Sequence, residues 1–169
     1  MIEHLLHFKQ LDDGKVYHEF VADLQRCGYV TFGKLLNAPD FGSAANRKRL
    51  YLVALRQDVA TRTGDFRFPR GSPVHHPVWS ILEPEFFRKG VRVGNTNYVE
   101  FEEPVQHDDS CLRQLGEMKG EGPGRSVYDV KGMASTQTAT GVGPGWTSGL
   151  YVINGSVSRL TVTETARLM

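Results

Sequence analysis

The chain is poor in the features that would announce a specialised environment. It has two cysteines, Cys27 and Cys111, in 169 residues, too few and too far apart for a disulfide scaffold or a cysteine-built zinc site, which fits a reducing cytoplasm. It has no basic excess: 20 Lys and Arg against 19 Asp and Glu leave a formal charge of +1. Any affinity for nucleic acid must therefore come from local clusters, which argues against a general DNA coater. No apolar run approaches the roughly 20 residues that span a bilayer. The first residues show no cationic stretch before a hydrophobic core, so neither membrane insertion nor secretion is expected. No internal repeat is evident. With 40% hydrophobic residues, the chain has enough apolar content for one domain, or a domain and a smaller module.

Tyr17, Phe20, Val21, Leu24 and Cys27 fall on one face at helical spacing, and Gly28 follows as a stop, which predicts an amphipathic helix over 17–27 that packs on a sheet with Cys27 as a buried thiol. Tyr29–Leu36 and Leu50–Leu55 read as strands, separated by a turn cluster over Asn37–Gly42. A helix feeding strands belongs to an α/β or α+β layer. These elements are too few to cover both faces of a parallel-type sheet, so something else is expected to complete it. From Thr61 to Gly90, Pro and Gly break every periodicity, although Val78–Leu82 can form one helical turn. Residues 91–149 are punctuated by glycine. Thr161-Val162-Thr163-Glu164 has the spacing of a capping box that starts a helix. The chain stops within about two turns of that start, which reads as truncated.

The densest chemistry lies in Ala45-Asn46-Arg47-Lys48-Arg49, directly before the apolar run Leu50–Leu55. Cations held at the start of a buried strand suit an anion, and guanidinium groups recognise phosphate or base edges in bidentate fashion. A solvated turn is the plain alternative for this pentapeptide alone.

The order of motifs resembles one family. Gly28-Tyr29, then Asn37-Ala38-Pro39-Asp40-Phe41-Gly42, then the alternating arginines, and finally Arg159-Leu160-Thr161-Val162-Thr163-Glu164-Thr165-Ala166-Arg167-Leu168 resemble the C-terminal portion of cytosine-C5 DNA methyltransferases. In that family a Gln-x-Arg-x-Arg motif precedes a target-recognition domain and an R-x-L-T-x-x-E-x-x-R-L motif. The resemblance implies a partial Rossmann-like α/β methyltransferase sheet over 1–75, a small, loop-rich, mostly β target-recognition domain over 76–150, and a truncated supporting segment over 151–169. It further implies methyl transfer from S-adenosylmethionine to cytosine C5 in double-stranded DNA, in a cytoplasmic, DNA-associated setting.

By position in the motif, Arg49 is the counterpart of the arginine that stabilises charge on the extruded base, and Arg47 of its phosphate-side neighbour. The motif's glutamine falls on Ala45, and Ser158 stands where the terminal motif has its first arginine. Lys48, Ser135, Thr136 and Gln137 are the expected DNA contacts, the last three lying in the stretch 127–139 that resembles the family's recognition segment; strand-edge packing is their bland alternative. The family's nucleophile is the cysteine of a Pro-Cys pair, yet Cys27 follows Arg26 and Cys111 follows Ser110. The glycine-rich turn that binds the donor and a Glu-Asn-Val motif are also missing from the text. The expectation is a chain that is inert alone and needs a catalytic N-terminal partner chain carrying the nucleophile and most of the donor site. The alternative is a non-catalytic DNA-binding remnant.

Other candidates are weaker. His75 and His76, with His107-Asp108-Asp109 downstream, read as solvated loop residues rather than a metal site, and no metal is expected. A hydrolase built on His75 or His107 is a remote alternative. Trp79, Phe86 and Phe87 read as core, with base stacking as the alternative.

Overall fold

The structure, a computed structural model, describes residues 1–64, 66–72, 76–88, 90–107, 111–137 and 149–168. The chain forms two compact units, one of residues 1–37 and 48–72 and the other of residues 38–47 and 73–169.

The first unit is a three-stranded sheet with a helix. Strands β1 (Ile2–His4), β2 (Tyr29–Asn37) and β3 (Lys48–Arg56) lie in the order β1-β3-β2. β2 and β3 are the two strands read from the sequence, each a little longer than expected. All pairings are antiparallel, with Phe32 opposite Val53 and Gly33 opposite Leu52. The parallel-type sheet expected from the sequence is therefore not formed by these strands; short apolar runs report burial, and they carry no information on strand direction. β3, paired on both sides, carries the buried Leu50, Leu52 and Val53, each stabilising by about 2 kcal/mol through loss of apolar surface to water.

Helix α1 (Lys15–Arg26) half-buries Tyr17, Phe20, Val21 and Leu24 and exposes the rest. The Tyr17 hydroxyl presses on β2 where a Cβ at Gly33 would meet it at 2.5 Å, so glycine at this position lets the helix approach. Phe32, on the opposite face of β2, packs against Phe66 with ring centroids 5.6 Å apart. Gly28, at φ 82°, ends α1 in the left-handed conformation that glycine adopts without a Cβ penalty. Cys27 is exposed, which corrects the expectation of a buried thiol: the apolar stripe ends at Leu24, and Cys27 is the cap residue where the chain turns out of the helix. A short helix, α2 (Gln57–Thr63), follows β3.

The second unit is built on a five-stranded sheet, β4 (Tyr98–His107), β5 (Leu112–Met118), β6 (Ser126–Asp129), β7 (Leu150–Ile153) and β8 (Ser156–Ser158), in sequential order. Among these strands β6 and β7 pair in parallel and the other neighbours antiparallel. Val127, Leu150 and Val157, with Met118, form one apolar cluster, and Tyr151, Ile153, Ala134, Val78, Leu160 and Leu168 belong to another. Burial pushes the Tyr151 hydroxyl up to about 12, and that hydroxyl accepts a hydrogen bond from the Ser135 amide.

The expected turn at Val78 is a 3-10 turn over Val78–Ile81. Val78 is buried, whereas Trp79, Phe86 and Phe87 are exposed, correcting their reading as core. One residue per 3-10 turn points inward, and in Glu85–Arg88 that residue is Arg88.

The capping box forms as read. Thr161 accepts from the Glu164 amide at 3.1 Å while the Glu164 carboxylate accepts from the Thr161 amide at 2.8 Å, starting helix α3 (Val162–Ala166). The sequence did not reveal the rest of this network. Glu164 is 0% exposed and also accepts from the Glu83 amide at 2.7 Å and from the Arg88 guanidinium, which in turn donates to the Arg159 carbonyl.

Candidate functional site

The two arginines of the motif fall in different units, Arg47 in the second and Arg49 in the first, and each is held by its own surroundings.

Arg49 is the second residue of β3. Its side chain is only 14% exposed, with Nε 3.6 Å from Glu3 Oε1 and Nη1 donating to the Lys48 carbonyl at 2.8 Å. Strand register explains the pairing. Glu3 lies opposite Tyr51, and Arg49 stands two residues before Tyr51, so the two charged side chains share a sheet face as diagonal neighbours. The result is a carboxylate and a guanidinium, side by side and fixed by backbone, a combination that can read the donors and acceptors of a base edge together. Sequence reasoning passed over Glu3. Glu3 opens Glu3-His4-Leu5, which shares only its glutamate with the Glu-Asn-Val motif.

Arg47 ends the segment 38–47, which is closed at its base by the Ala38 amide donating to the Arg47 carbonyl at 3.1 Å. Its middle is buried: Ala44 and Ala45 belong to the second unit's core. Ala45 forms a parallel bridge with Ala134, flanked by Asn46 N to Ala134 O and Ala134 N to Ala44 O, both 2.8 Å. Ser43 Oγ accepts from the Ala45 amide at 3.1 Å and donates to the Leu168 carbonyl at 3.0 Å. Arg47 itself is exposed, as is Lys48.

Of the expected DNA contacts, Thr136 donates its hydroxyl proton to the Asn46 carbonyl at 2.5 Å, and Gln137 donates its amide to the Thr165 carbonyl at 3.1 Å. Ser135 lies beside Gly149, 2.9 Å from where a Cβ would stand there. Thr136 and Gln137 thus tie the segment to the protein, while the Thr136 lone pairs and the Gln137 carbonyl oxygen keep capacity for a further partner.

Cys27 caps α1, and Cys111 opens β5's approach at φ 51°. His107 pairs with Gln114 at 2.8 Å. His75, Asp108, Asp109 and the stretch 138–148 lie outside the described residues, and no cluster of three metal-ligating side chains occurs among the described ones. No helix among them is long and apolar enough to cross a membrane.

Comparison with known proteins places this arrangement. The fold is of the methyltransferase-like α/β class: the crystal structure of the S. pombe Dnmt2 methyltransferase matches 99% of this chain and 51% of that protein with a TM-score of 0.59, at 15% identity. The C-5 cytosine-specific DNA methylase family matches residues 1–169, and the chain belongs to that family. The type II methyltransferase M.HhaI of Haemophilus parahaemolyticus is 26% identical over 168 residues, 99% of this chain and 51% of the relative. The type II methyltransferase M.NlaX of Neisseria lactamica is 38% identical over 84 residues, 49% of this chain and 25% of the relative. The chain spans about half the length of the first of these relatives.

Proposed function

We propose that this chain is the C-terminal, target-recognising part of a DNA (cytosine-5) methyltransferase, which works with a catalytic N-terminal chain that supplies the nucleophile and the site for S-adenosylmethionine. The observation that carries this reading is the Glu3–Arg49 pair. A carboxylate accepts from the exocyclic amine of cytosine, and a rigid guanidinium stabilises charge that develops on the base when a nucleophile adds to it. Glu3 takes the role of the ring-binding glutamate and Arg49 that of the base-facing arginine. Arg47 and Lys48 serve the backbone of the extruded nucleotide, and the second unit, with Ser135, Thr136 and Gln137 beside the glycine-rich stretch, contacts duplex DNA.

S-adenosylmethionine would supply the methyl group, but the residues of this chain do not fit it. Among the described residues, the connection from β1 to α1 carries a single glycine, Gly14, where a donor site wants a glycine-rich strand-to-helix turn. The reading of a second polypeptide is supported by the first unit's surface: α1 has no fully buried residue, and Ile2, Leu5, Leu6, Val16 and Leu35 are exposed, apolar side chains that a partner would cover.

The test mixes the purified chain with a polypeptide covering the other half of such an enzyme, tritiated S-adenosylmethionine and genomic DNA free of cytosine methylation. Methyl incorporation that needs both polypeptides is the expected result. DNA binding without transfer by the mixture would leave the chain a binding remnant and overturn the proposal.

A further inference from the structure

In the resembled Gln-x-Arg-x-Arg motif the glutamine falls on Ala45, so by that resemblance the segment that bears Arg47 lacks one hydrogen-bonding side chain. Ala45 is 3% exposed, and its bridge to Ala134 is parallel. In that geometry the flanking Ala44 carbonyl and Asn46 amide point to the Ala134 segment, and the Ala45 amide points away from it. Its acceptor is Ser43 Oγ at 3.1 Å, and the same hydroxyl donates to the Leu168 carbonyl at 3.0 Å. One side chain thus satisfies a buried amide and ties the segment to the end of the terminal motif.

We propose that Ser43 is a positioning residue for Arg47, its hydroxyl clasping the 43–47 segment between the core and Leu168 in place of the glutamine. The proposal rests on the functional reading above for what Arg47 does, and on the Ser43 contacts for how the backbone leading to it is held. The mechanism is local: an orphaned buried amide favours opening of the segment. The guanidinium four residues on then samples orientations unsuited to a phosphate, and loss of orientation slows turnover while substrate binding through other contacts is kept.

Two measurements on S43A, with S43T as rescue, decide it. By hydrogen exchange on the full chain, protection of the Ala45 and Asn46 amides should fall at least about tenfold, the factor expected for one lost buried hydrogen bond, with Leu112–Met118 unchanged. In the two-polypeptide methyl-transfer assay, kcat should fall about tenfold with KM within about twofold. S43T should restore both. If S43A does not fold, S43C, close in volume and a weak hydrogen-bonding partner, takes its place. Unchanged exchange at Ala45 and Asn46, or full kcat in a folded S43A, overturns the proposal. Absence of transfer by the unaltered pair overturns the functional reading instead, and the exchange measurement still decides whether Ser43 clasps the segment.

Discussion

Replacing Glu164 by glutamine tests whether the terminal motif is held by a buried charge pair. The carboxylate is 0% exposed and accepts from the Arg88 guanidinium, the Glu83 amide and the Thr161 amide. Glu164→Gln keeps the volume and one acceptor oxygen but leaves a guanidinium buried without its counter-charge. Breaking a buried pair this way costs about 3–5 kcal/mol. For a chain of this size, each kcal/mol moves the melting point by about 2–4 °C, so the expected drop is about 6–20 °C, read by near-ultraviolet dichroism. The sign of coupling is the sharper test. Adding Arg88→Met removes the stranded charge, so the double variant should be more stable than E164Q alone, while the introduced carboxamide oxygen still accepts from the Thr161 amide. A loss under about 1 kcal/mol for E164Q would fall short of the buried-pair range and refute the reasoning, as would a double variant less stable than either single one.

Arg49→Ala should lower kcat of the assembled enzyme by about 10²- to 10³-fold, the effect of removing one preorganised charge-stabilising donor, with assembly of the two polypeptides intact by gel filtration; turnover within about tenfold of the parent would remove its assigned role. Tyr151→Phe should reduce the alkaline loss of stability, to which Tyr98, also raised by burial, contributes as well. Burial raises the Tyr151 hydroxyl from the ordinary 10 to about 12, so its contribution is full below pH 10 and fades as pH rises from 10 through 12; urea midpoints across that range should fall in the parent and fall less steeply in the variant.

The helix stripe of Tyr17, Phe20, Val21 and Leu24, the strands β2 and β3, and the Thr161–Glu164 capping box were legible because each is set by neighbours within one turn or one strand. What was missed depends on distant partners. Glu3 meets Arg49 only through the β1–β3 register, Arg88 meets Glu164 from 76 residues away, and Ser43 meets Leu168 from 125 residues away. Composition does not report such pairs. Trp79, Phe86 and Phe87 misled for a related reason: apolar content was visible, but the 3-10 geometry that turns these rings outward was not.

The division of the arginine motif has a structural logic of its own. Arg49 belongs to a strand hydrogen-bonded on both sides, so its direction is set by the sheet and refined by Glu3. Arg47 lies just before that ladder begins; the chain around it is fixed by the Ala38–Arg47 closure and by the burial of Ala44 and Ala45. A buried segment of small residues can be anchored only through its backbone, because methyl groups offer dispersion and no direction. A hydroxyl supplied from inside the segment, at Ser43, gives direction without adding bulk at the Ala45–Ala134 bridge, where both residues are buried.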